Sequence, residues 1–116
     1  MNSSRFPGKV LADLNGLPMI VRQIHRVNLS KEISNLIVAV SEDPSDDELA
    51  EELLGFNCEI YRGSQRDVFS RFYDIVEMVN SSSFIRLTAD CPLVMPSIID
   101  EVVRSFKDGS FDYMSN

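Results

Sequence analysis

The chain has 116 residues, of which 11 are basic and 18 are acidic, and its formal net charge is −7. This length is typical of one domain, and a hydrophobic content of 44% excludes intrinsic disorder of the whole chain. The acidic balance argues against a general nucleic-acid-binding protein. No apolar run reaches the roughly 18–20 residues that cross a bilayer, so we expect no membrane association.

Two cysteines, Cys58 and Cys91, occur without a CxxC motif and with a single histidine in the chain. This pattern excludes a disulfide framework and a zinc site. The first residues are polar and contain Gly and Pro, unlike a secretory signal. We therefore expect a protein of the reducing cytoplasm.

Predicted helices and strands alternate along the chain. In chain order they are a helix over 17–29 with Pro18 in its first turn, a strand over 36–40, a short helix with Ser45 as N-cap and Glu48 three residues later, a strand over 58–61, a helix over 67–80, a strand over 83–88, a helix from Pro96 to Asp108-Gly109, and a strand over 111–114. The run at 36–40 is apolar throughout, which is typical of a strand buried on both faces of a parallel sheet.

This alternation predicts a three-layer α/β/α sandwich with a mainly parallel sheet. A loop that leads into a helix normally follows a strand, and here no strand precedes the first loop. The last predicted strand also stops at the end of the chain. We therefore expect residues 1–116 to form a single partial domain whose first strand is missing.

The charge is unevenly distributed. Residues 1–31 carry five basic side chains against Asp13 alone, whereas residues 32–59 carry nine acidic side chains and no basic one. For the acidic stretch a solvated helix face is the favoured interpretation, because its spacing does not match a calcium-binding loop. The basic start of an acidic protein suggests a local anion site.

The loop over residues 3–9 is the first candidate site. Ser4 and Gly8 are small enough for backbone N–H groups to approach an anion, and Arg5 and Lys9 are suited to contact phosphates. The loop lacks the Walker pattern. A disordered tail with chance basic residues remains the alternative.

Asp90 is the second candidate. It follows the predicted strand over 83–88, at the carboxyl end where open α/β sheets bind ligands. One carboxylate at such a position can hold Mg²⁺ together with nucleotide phosphates. A simple turn or helix-capping aspartate is the alternative.

The third candidate is the segment over 62–68, where Gly63 and Ser64 offer backbone groups that could read the edge of a base. Asp67 favours the start of the following helix, on which Arg71 lies. A helix start beside exposed arginines would explain most of these residues individually.

Together these segments resemble a known family. The resemblance runs along the whole chain and is carried, in the family's order, by Ser4-Arg5-Phe6-Pro7-Gly8-Lys9, Leu14-Asn15-Gly16-Leu17-Pro18-Met19-Ile20, Arg62-Gly63-Ser64 with Asp67-Val68 and Arg71-Phe72, Asp90-Cys91-Pro92-Leu93, and Asp112-Tyr113-Met114-Ser115-Asn116. The chain is similar to the cytidylyltransferases that make CMP-activated acid sugars, the acylneuraminate and 3-deoxy-manno-octulosonate synthetase group. Within that group it most resembles the spore-coat polysaccharide biosynthesis branch called protein F.

The resemblance implies a nucleotide-diphospho-sugar transferase (Rossmann-like) fold and transfer of CMP from CTP to an acid sugar, with release of pyrophosphate. By matching positions, Arg5 and Lys9 would hold the triphosphate with Ser4 and Gly8 beside them, Asp90 would hold Mg²⁺, and Gly63 and Ser64 would lie around the base.

The missing first strand would leave a sheet edge exposed, so we expect either a homodimer that covers this edge or marginal stability.

Two alternatives to the enzyme remain. One is a non-catalytic nucleotide-binding or interaction module on the same scaffold. The other is a phosphoacceptor receiver domain, which is also a small acidic α/β protein. That class requires an acidic pair after its first strand, a phosphorylated aspartate after its third and a lysine late in the chain, and this alternative rests on fold analogy alone.

Overall fold

The structure is a computed structural model that describes residues 9–80, 83–89, 91–109 and 113, with only the backbone of Lys9. In these ranges, its elements are a 3₁₀ turn at Lys9–Leu11, strands β1 (Asp13–Leu14) and β2 (Leu17–Pro18), helix α1 (Met19–Val27), strand β3 (Ile37–Ser41), a 3₁₀ turn at Pro44–Asp46, helix α2 (Asp47–Leu53), strand β4 (Glu59–Gly63), and helices α3 (Val68–Val79) and α4 (Pro96–Asp108).

Strands β1 and β2, of two residues each, pair antiparallel in a hairpin that was not predicted. Its turn residues, Asn15 and Gly16, have φ angles of 57° and 99°. Two positive φ angles are typical of a tight hairpin turn whose twist matches that of the flanking strands. Because Pro18 pairs in this hairpin, it is the N-cap of α1 rather than a residue of its first turn. The predicted helix over 17–29 therefore begins two residues late, at Met19.

Strands β3 and β4 form a parallel pair in which Val38 lies beside Ile60 and Ser41 beside Gly63. Side chains alternate between the two faces of a strand. Val38 and Ile60 lie on the face that packs against the core cluster of α1 and α2.

The opposite face of the pair packs against α3. There the Tyr61 hydroxyl donates a hydrogen bond to Asp74 Oδ2 (2.9 Å), and Gly63 lies against Arg71. Helices thus cover both faces of a parallel sheet, which confirms the predicted three-layer α/β/α arrangement.

The predicted cap of the second helix is wrong. Asp43 caps the 3₁₀ turn at Pro44–Asp46, where its Oδ1 accepts a hydrogen bond from the Ser45 backbone N–H (2.9 Å). The N-cap of α2 is Asp46, whose side chain makes no capping hydrogen bond. The reason is Pro44, whose fixed φ suits the first position of a helical turn, so the helical conformation begins before Ser45. The Ser45 hydroxyl is buried and has no hydrogen-bond partner among the described residues.

The predicted helices α3 and α4 are confirmed to within a residue or two at each end. The predicted strand over 83–88 is wrong, because these residues form no β-ladder with the described part of the chain. A strand exists only where a neighbour pairs with its N–H and C=O groups, and this requirement cannot be read from local sequence. The predicted strand over 111–114 falls outside the described residues, apart from Tyr113.

Candidate active site

The carboxyl ends of β3 and β4 meet at one edge of the sheet. Ser41 and Gly63 are the last residues of the two strands and lie side by side in the register. The backbone N–H of Glu42 donates to the Gly63 carbonyl (2.7 Å), which extends the pairing one step beyond the strands. Open α/β sheets bind their ligands beyond this edge, so Gly63 and Ser64 lie where the sequence places a binding site.

Gly63 has no room for a side chain. A Cβ atom built at this position would lie 2.7 Å from Arg71 Cγ and 2.9 Å from Tyr61 Cε1, closer than non-bonded carbon atoms approach. The aliphatic part of Arg71 therefore packs directly on the backbone at the end of β4. The Arg71 Nε atom is buried and has no hydrogen-bond partner among the described residues.

Ser64 and Asp67 shape the loop between β4 and α3. The Ser64 hydroxyl oxygen accepts a hydrogen bond from the Asp67 backbone N–H (3.1 Å), and Asp67 Oδ1 accepts one from the Ser70 backbone N–H (3.1 Å). Asp67 is thus the N-cap of α3, as well as a favourable charge at its amino end. The Ser64 hydroxyl retains its own hydrogen for donation to a ligand.

Two acidic residues after β3, Asp46 and Asp47, make hydrogen bonds or an ion pair with the ends of β3 and β4. Buried Asp46 accepts hydrogen bonds from the Ser41 backbone N–H (3.0 Å) and hydroxyl (2.7 Å). Burial raises the pKa of Asp46, but the hydrogen bonds from Ser41 contribute to a net pKa below its usual value. Arg62 Nη1 pairs with Asp47 (2.7 Å), and Arg62 also donates to the carbonyls of Ser41 and Asp43 (3.0 Å each).

Within the described ranges, no three His, Cys, Asp or Glu side chains lie close enough together to hold a metal ion. Asp47, Glu48, Glu51 and Glu52 of α2 are exposed, as the solvated-face interpretation of the acidic stretch predicts, whereas Asp46 is buried in its own loop.

Thr88 and Cys91, which flank position 90 in the sequence, are attached to α1 through Gln23. The Gln23 side-chain amide donates to the Thr88 carbonyl (2.7 Å), and its Oε1 accepts from the Cys91 backbone N–H (3.2 Å). One helical turn further along α1, Arg26 Nε donates to the Val94 carbonyl (2.7 Å). No motif in the sequence marks Gln23, because its partners are 65 and 68 residues away.

The segment that carries Lys9 is attached to the same helix. Val10, in the 3₁₀ turn, is 7% exposed and belongs to the buried cluster of α1. The Ala12 carbonyl accepts from the Met19 backbone N–H (2.9 Å). Met19 and Gln23 are about 6 Å apart along the helix axis at 1.5 Å per residue. Both segments are therefore attached to the amino-terminal half of α1.

The remaining predicted site residues cannot be placed. Ser4, Arg5, Gly8 and Asp90 lie outside the described residues, as does the side chain of Lys9. The convergence of the basic loop and Asp90 on one ligand stays a prediction.

Comparisons with known proteins give consistent findings. A family model for cytidylyltransferases matches residues 1–116. The chain is 36% identical over 117 aligned positions to spore coat polysaccharide biosynthesis protein SpsF of Bacillus subtilis, an alignment that covers 97% of the chain and 49% of that protein. It is 29% identical to 3-deoxy-manno-octulosonate cytidylyltransferase of Geobacter sulfurreducens, over 87% of the chain and 40% of that protein.

A solved structure shows the same fold. The chain aligns with a cytidylyltransferase from Leptospira borgpetersenii with a TM-score of 0.87 and 30% identity, over 93% of the chain and 45% of that structure. This confirms the predicted nucleotide-diphospho-sugar transferase fold. The chain spans about half the length of the curated relatives it matches. The assignment of residues 1–116 to a single partial domain stays a prediction.

Proposed function

The chain belongs to the cytidylyltransferase family, and from this premise we propose that it takes part in transferring CMP from CTP to an acid sugar for cell-surface or spore-coat polysaccharide biosynthesis. The name of the Bacillus subtilis relative supports the polysaccharide context. That of the Geobacter sulfurreducens relative, which acts on an octulosonate, supports the acid-sugar class.

One structural observation carries this proposal. The segment leading from Lys9 and the turn flanking position 90 are both attached to the amino-terminal half of α1. This arrangement supports a single site to which Arg5 and Lys9 bring positive charge and Asp90 brings a carboxylate. Ser4 and Gly8 would let the loop backbone approach the triphosphate, and Gly63 and Ser64 would contact the base.

Mg²⁺ suits this set of residues. The ion needs only one or two protein carboxylates when phosphates supply further oxygen ligands, and Gln23 bonds to backbone groups of Thr88 and Cys91, which flank Asp90 in the sequence. Asp90 would hold the ion against the phosphates. When bound, Mg²⁺ would neutralise part of the negative charge of the phosphates.

In the proposed reaction, the sugar hydroxyl oxygen attacks the α-phosphorus of CTP. A new P–O bond forms, the bond from the α-phosphorus to the oxygen bridging to the β-phosphate breaks, and pyrophosphate leaves. The hydroxyl proton is lost to water. Arg5 and Lys9 stabilise the charge that develops on the leaving pyrophosphate, because cations fixed before the reaction lower the barrier to phosphoryl transfer.

We also place the chain in the cytoplasm, where CTP is available. The two cysteines of the chain occur without a CxxC motif, which supports a reducing compartment. Among the described helices, none has the length and apolar character needed to span a bilayer.

Two linked assays test the proposal. CTP with Mg²⁺ should raise the melting temperature of the chain more than ATP, GTP or UTP does, because a ligand bound only to the folded state stabilises it. The protein should then release pyrophosphate from CTP only when an acid sugar such as 3-deoxy-manno-octulosonate is present, and Asp90→Asn should abolish this release.

Selective CTP binding without pyrophosphate release would instead favour the non-catalytic nucleotide-binding module. No stabilisation by CTP would contradict both functions.

A further inference from the structure

Helix α3 carries aromatic side chains on the side that faces away from the sheet. Ile75 is buried on the inner side, whereas Phe69 and Tyr73, one turn apart, are 76% and 55% exposed. Their rings stack, with centroids 6.5 Å apart and planes inclined by 28°. Large aromatic side chains that are already held in place are the usual anchors of protein interfaces, because little further ordering is needed on binding.

This aromatic pair lies between two opposite charges. Arg66 lies just ahead of the helix, and Glu77 lies in its last turn, one turn beyond Tyr73. Both charged side chains are exposed, and neither forms an ion pair with another described residue. We call Arg66, Phe69, Tyr73 and Glu77 the outer stripe of α3.

The two charges are placed against the preference of an isolated helix. A helix dipole favours acidic groups near its amino end and basic groups near its carboxyl end. Asp67 caps α3, but the helix has no acidic residue in its first turn and no basic residue in its last turn. Arg66 at the amino end and Glu77 at the carboxyl end therefore lack both a partner in the described chain and support from the dipole.

A second copy of the chain supplies what the outer stripe lacks. If two α3 helices pack antiparallel about a two-fold axis midway between Phe69 and Tyr73, each Phe69 lies against the partner's Tyr73. Each Arg66 then lies at the same end of the pair as the partner's Glu77. A parallel arrangement would instead bring like charges together, which opposes binding. The stripe is thus self-complementary, as an interface between identical subunits must be.

We propose that the outer stripe of α3 is the interface for a second copy of this chain, with the helices antiparallel and an Arg66–Glu77 ion pair at each end. This surface differs from the sheet edge at which the sequence predicts a homodimer. The four aromatic rings would bury on the order of 500 Å². Standard interfaces bury at least about 1,200 Å², so the dimer should dissociate on dilution.

Sedimentation equilibrium of the purified chain, from micromolar to millimolar concentration, measures the dimer dissociation constant. Phe69→Ala should raise this constant by more than about 10-fold, because two-fold symmetry removes the aromatic anchor at two places. Leu54→Ala is the matched control. Leu54, which follows α2, is also 76% exposed but lies outside the outer stripe, so its substitution should leave the dissociation constant unchanged.

A charge exchange tests the orientation of the helices. Arg66→Glu and Glu77→Arg should each weaken the dimer about 5-fold, because each places like charges together at both ends of the pair. The two substitutions combined should restore the wild-type dissociation constant. Both changes suit the helix dipole, so each variant should melt no lower than wild type at concentrations where all are monomeric.

Three results would overturn the inference. The first is a wild-type chain that stays monomeric over the whole concentration range. The second is a dimer that Phe69→Ala and both single charge reversals leave unchanged, since its interface must then lie elsewhere. The third is a dimer that the single reversals weaken and the double substitution does not restore, which excludes the antiparallel pairing. The proposed function does not depend on any of these results.

Discussion

At the scale of single residues, Gly63 links the sheet to the candidate site. Gly63→Ala would force a Cβ against Arg71 Cγ and the Tyr61 ring, at 2.7 and 2.9 Å. Overpacking of this kind costs about 1–3 kcal/mol, so we expect the free energy of unfolding to fall by that amount in urea titrations. We also expect weaker CTP binding, because Arg71 and the backbone at the end of β4 must move apart.

Gly55→Ala is the control for this substitution. Apart from its two chain neighbours, no described residue has an atom within 4 Å of a Cβ built at Gly55, and this residue does not have a positive φ. It should therefore leave stability unchanged or raise it by about 0.4–1 kcal/mol, since alanine restricts the unfolded chain more than glycine does. If both alanine variants unfolded at the same urea concentration, the close packing at Gly63 would be refuted.

Asp100 provides a second residue-level prediction, on pH. This buried residue of α4 accepts hydrogen bonds from the Ser30 hydroxyl and from the backbone N–H groups of Lys31 (3.0 Å) and Glu32 (3.1 Å). The Ser30 hydrogen bond is the largest cause that lowers the pKa of Asp100, and the two backbone bonds add to it against the opposing effect of burial.

The sign of the pH dependence follows from this lowered pKa. An aspartate has a pKa of about 3.9 in an unfolded chain. The stabilisation by ionised Asp100 is therefore complete above that value and is lost as the pH falls through the lower pKa of the folded state. We expect Asp100→Asn to flatten the decline of unfolding free energy below about pH 4. Glu101→Gln makes an equal change of charge at an exposed neighbour. Its unfolding free energy should decline more steeply at low pH than that of Asp100→Asn, and equal slopes in the two variants would contradict this account.

At the scale of elements, the segment before α2 shows how one residue moves a helix start. Asp43 caps the 3₁₀ turn, whereas the Ser45 hydroxyl has no partner among the described residues. Asp43→Ala should lower the melting temperature, and Ser45→Ala should change it less. Only the first substitution removes the side-chain acceptor of the Ser45 backbone N–H, which is at the start of the helical turn. The opposite order in thermal melts would restore Ser45 as the cap.

Elements whose residues show a local hydrophobic pattern could be predicted from the sequence. The apolar run at 36–40 and the helical spacing around Ile75 and Ile99 correspond to β3, α3 and α4. The hairpin of β1 and β2 was missed although Asn15-Gly16 is a strong turn signal, because the helical spacing over 17–29 overlapped it.

Features that depend on distant partners could not be predicted. The segment 83–88 has strand-like sequence, but its pairing depends on a neighbour that local residues do not specify. The candidate site divides in the same way. Gly63 ends β4 at the sheet edge, beside Ser64, where the sequence predicts a binding site, whereas the hydrogen bonds of Gln23 join residues more than 60 positions apart.

At the scale of the whole molecule, the described surface exposes large apolar side chains. Phe69 and Tyr73 on α3 are 76% and 55% exposed and stack on each other, and Met78 is 62% exposed. A helix with apolar residues on most sides is normally buried. The sheet contributes only the parallel pair of β3 and β4 in the described ranges, and a two-stranded sheet is marginal by itself.

These exposed surfaces bear on the two expected alternatives, which are marginal stability and a homodimer. Its melting temperature should rise with protein concentration, because association stabilises the folded state by mass action. Sedimentation over the same concentrations should show a monomer–dimer equilibrium. A sharp melt of a pure monomer at a temperature that does not change with concentration would contradict this prediction.

The central claim is that the basic loop over 3–9 and the turn around Asp90 bind one nucleotide and its metal ion together. The most direct measurement replaces Mg²⁺ with paramagnetic Mn²⁺ in the CTP complex and records which backbone amide resonances broaden. Broadening is predicted at residues 4–9, at 88–91 and at Gly63-Ser64. It should be weaker at Glu59, at the other end of β4 and about 13 Å from Gly63 along the strand, because paramagnetic broadening falls steeply with distance from the ion. Asp90→Asn should abolish it everywhere. Broadening around Asp90 with none in residues 4–9 would contradict the account.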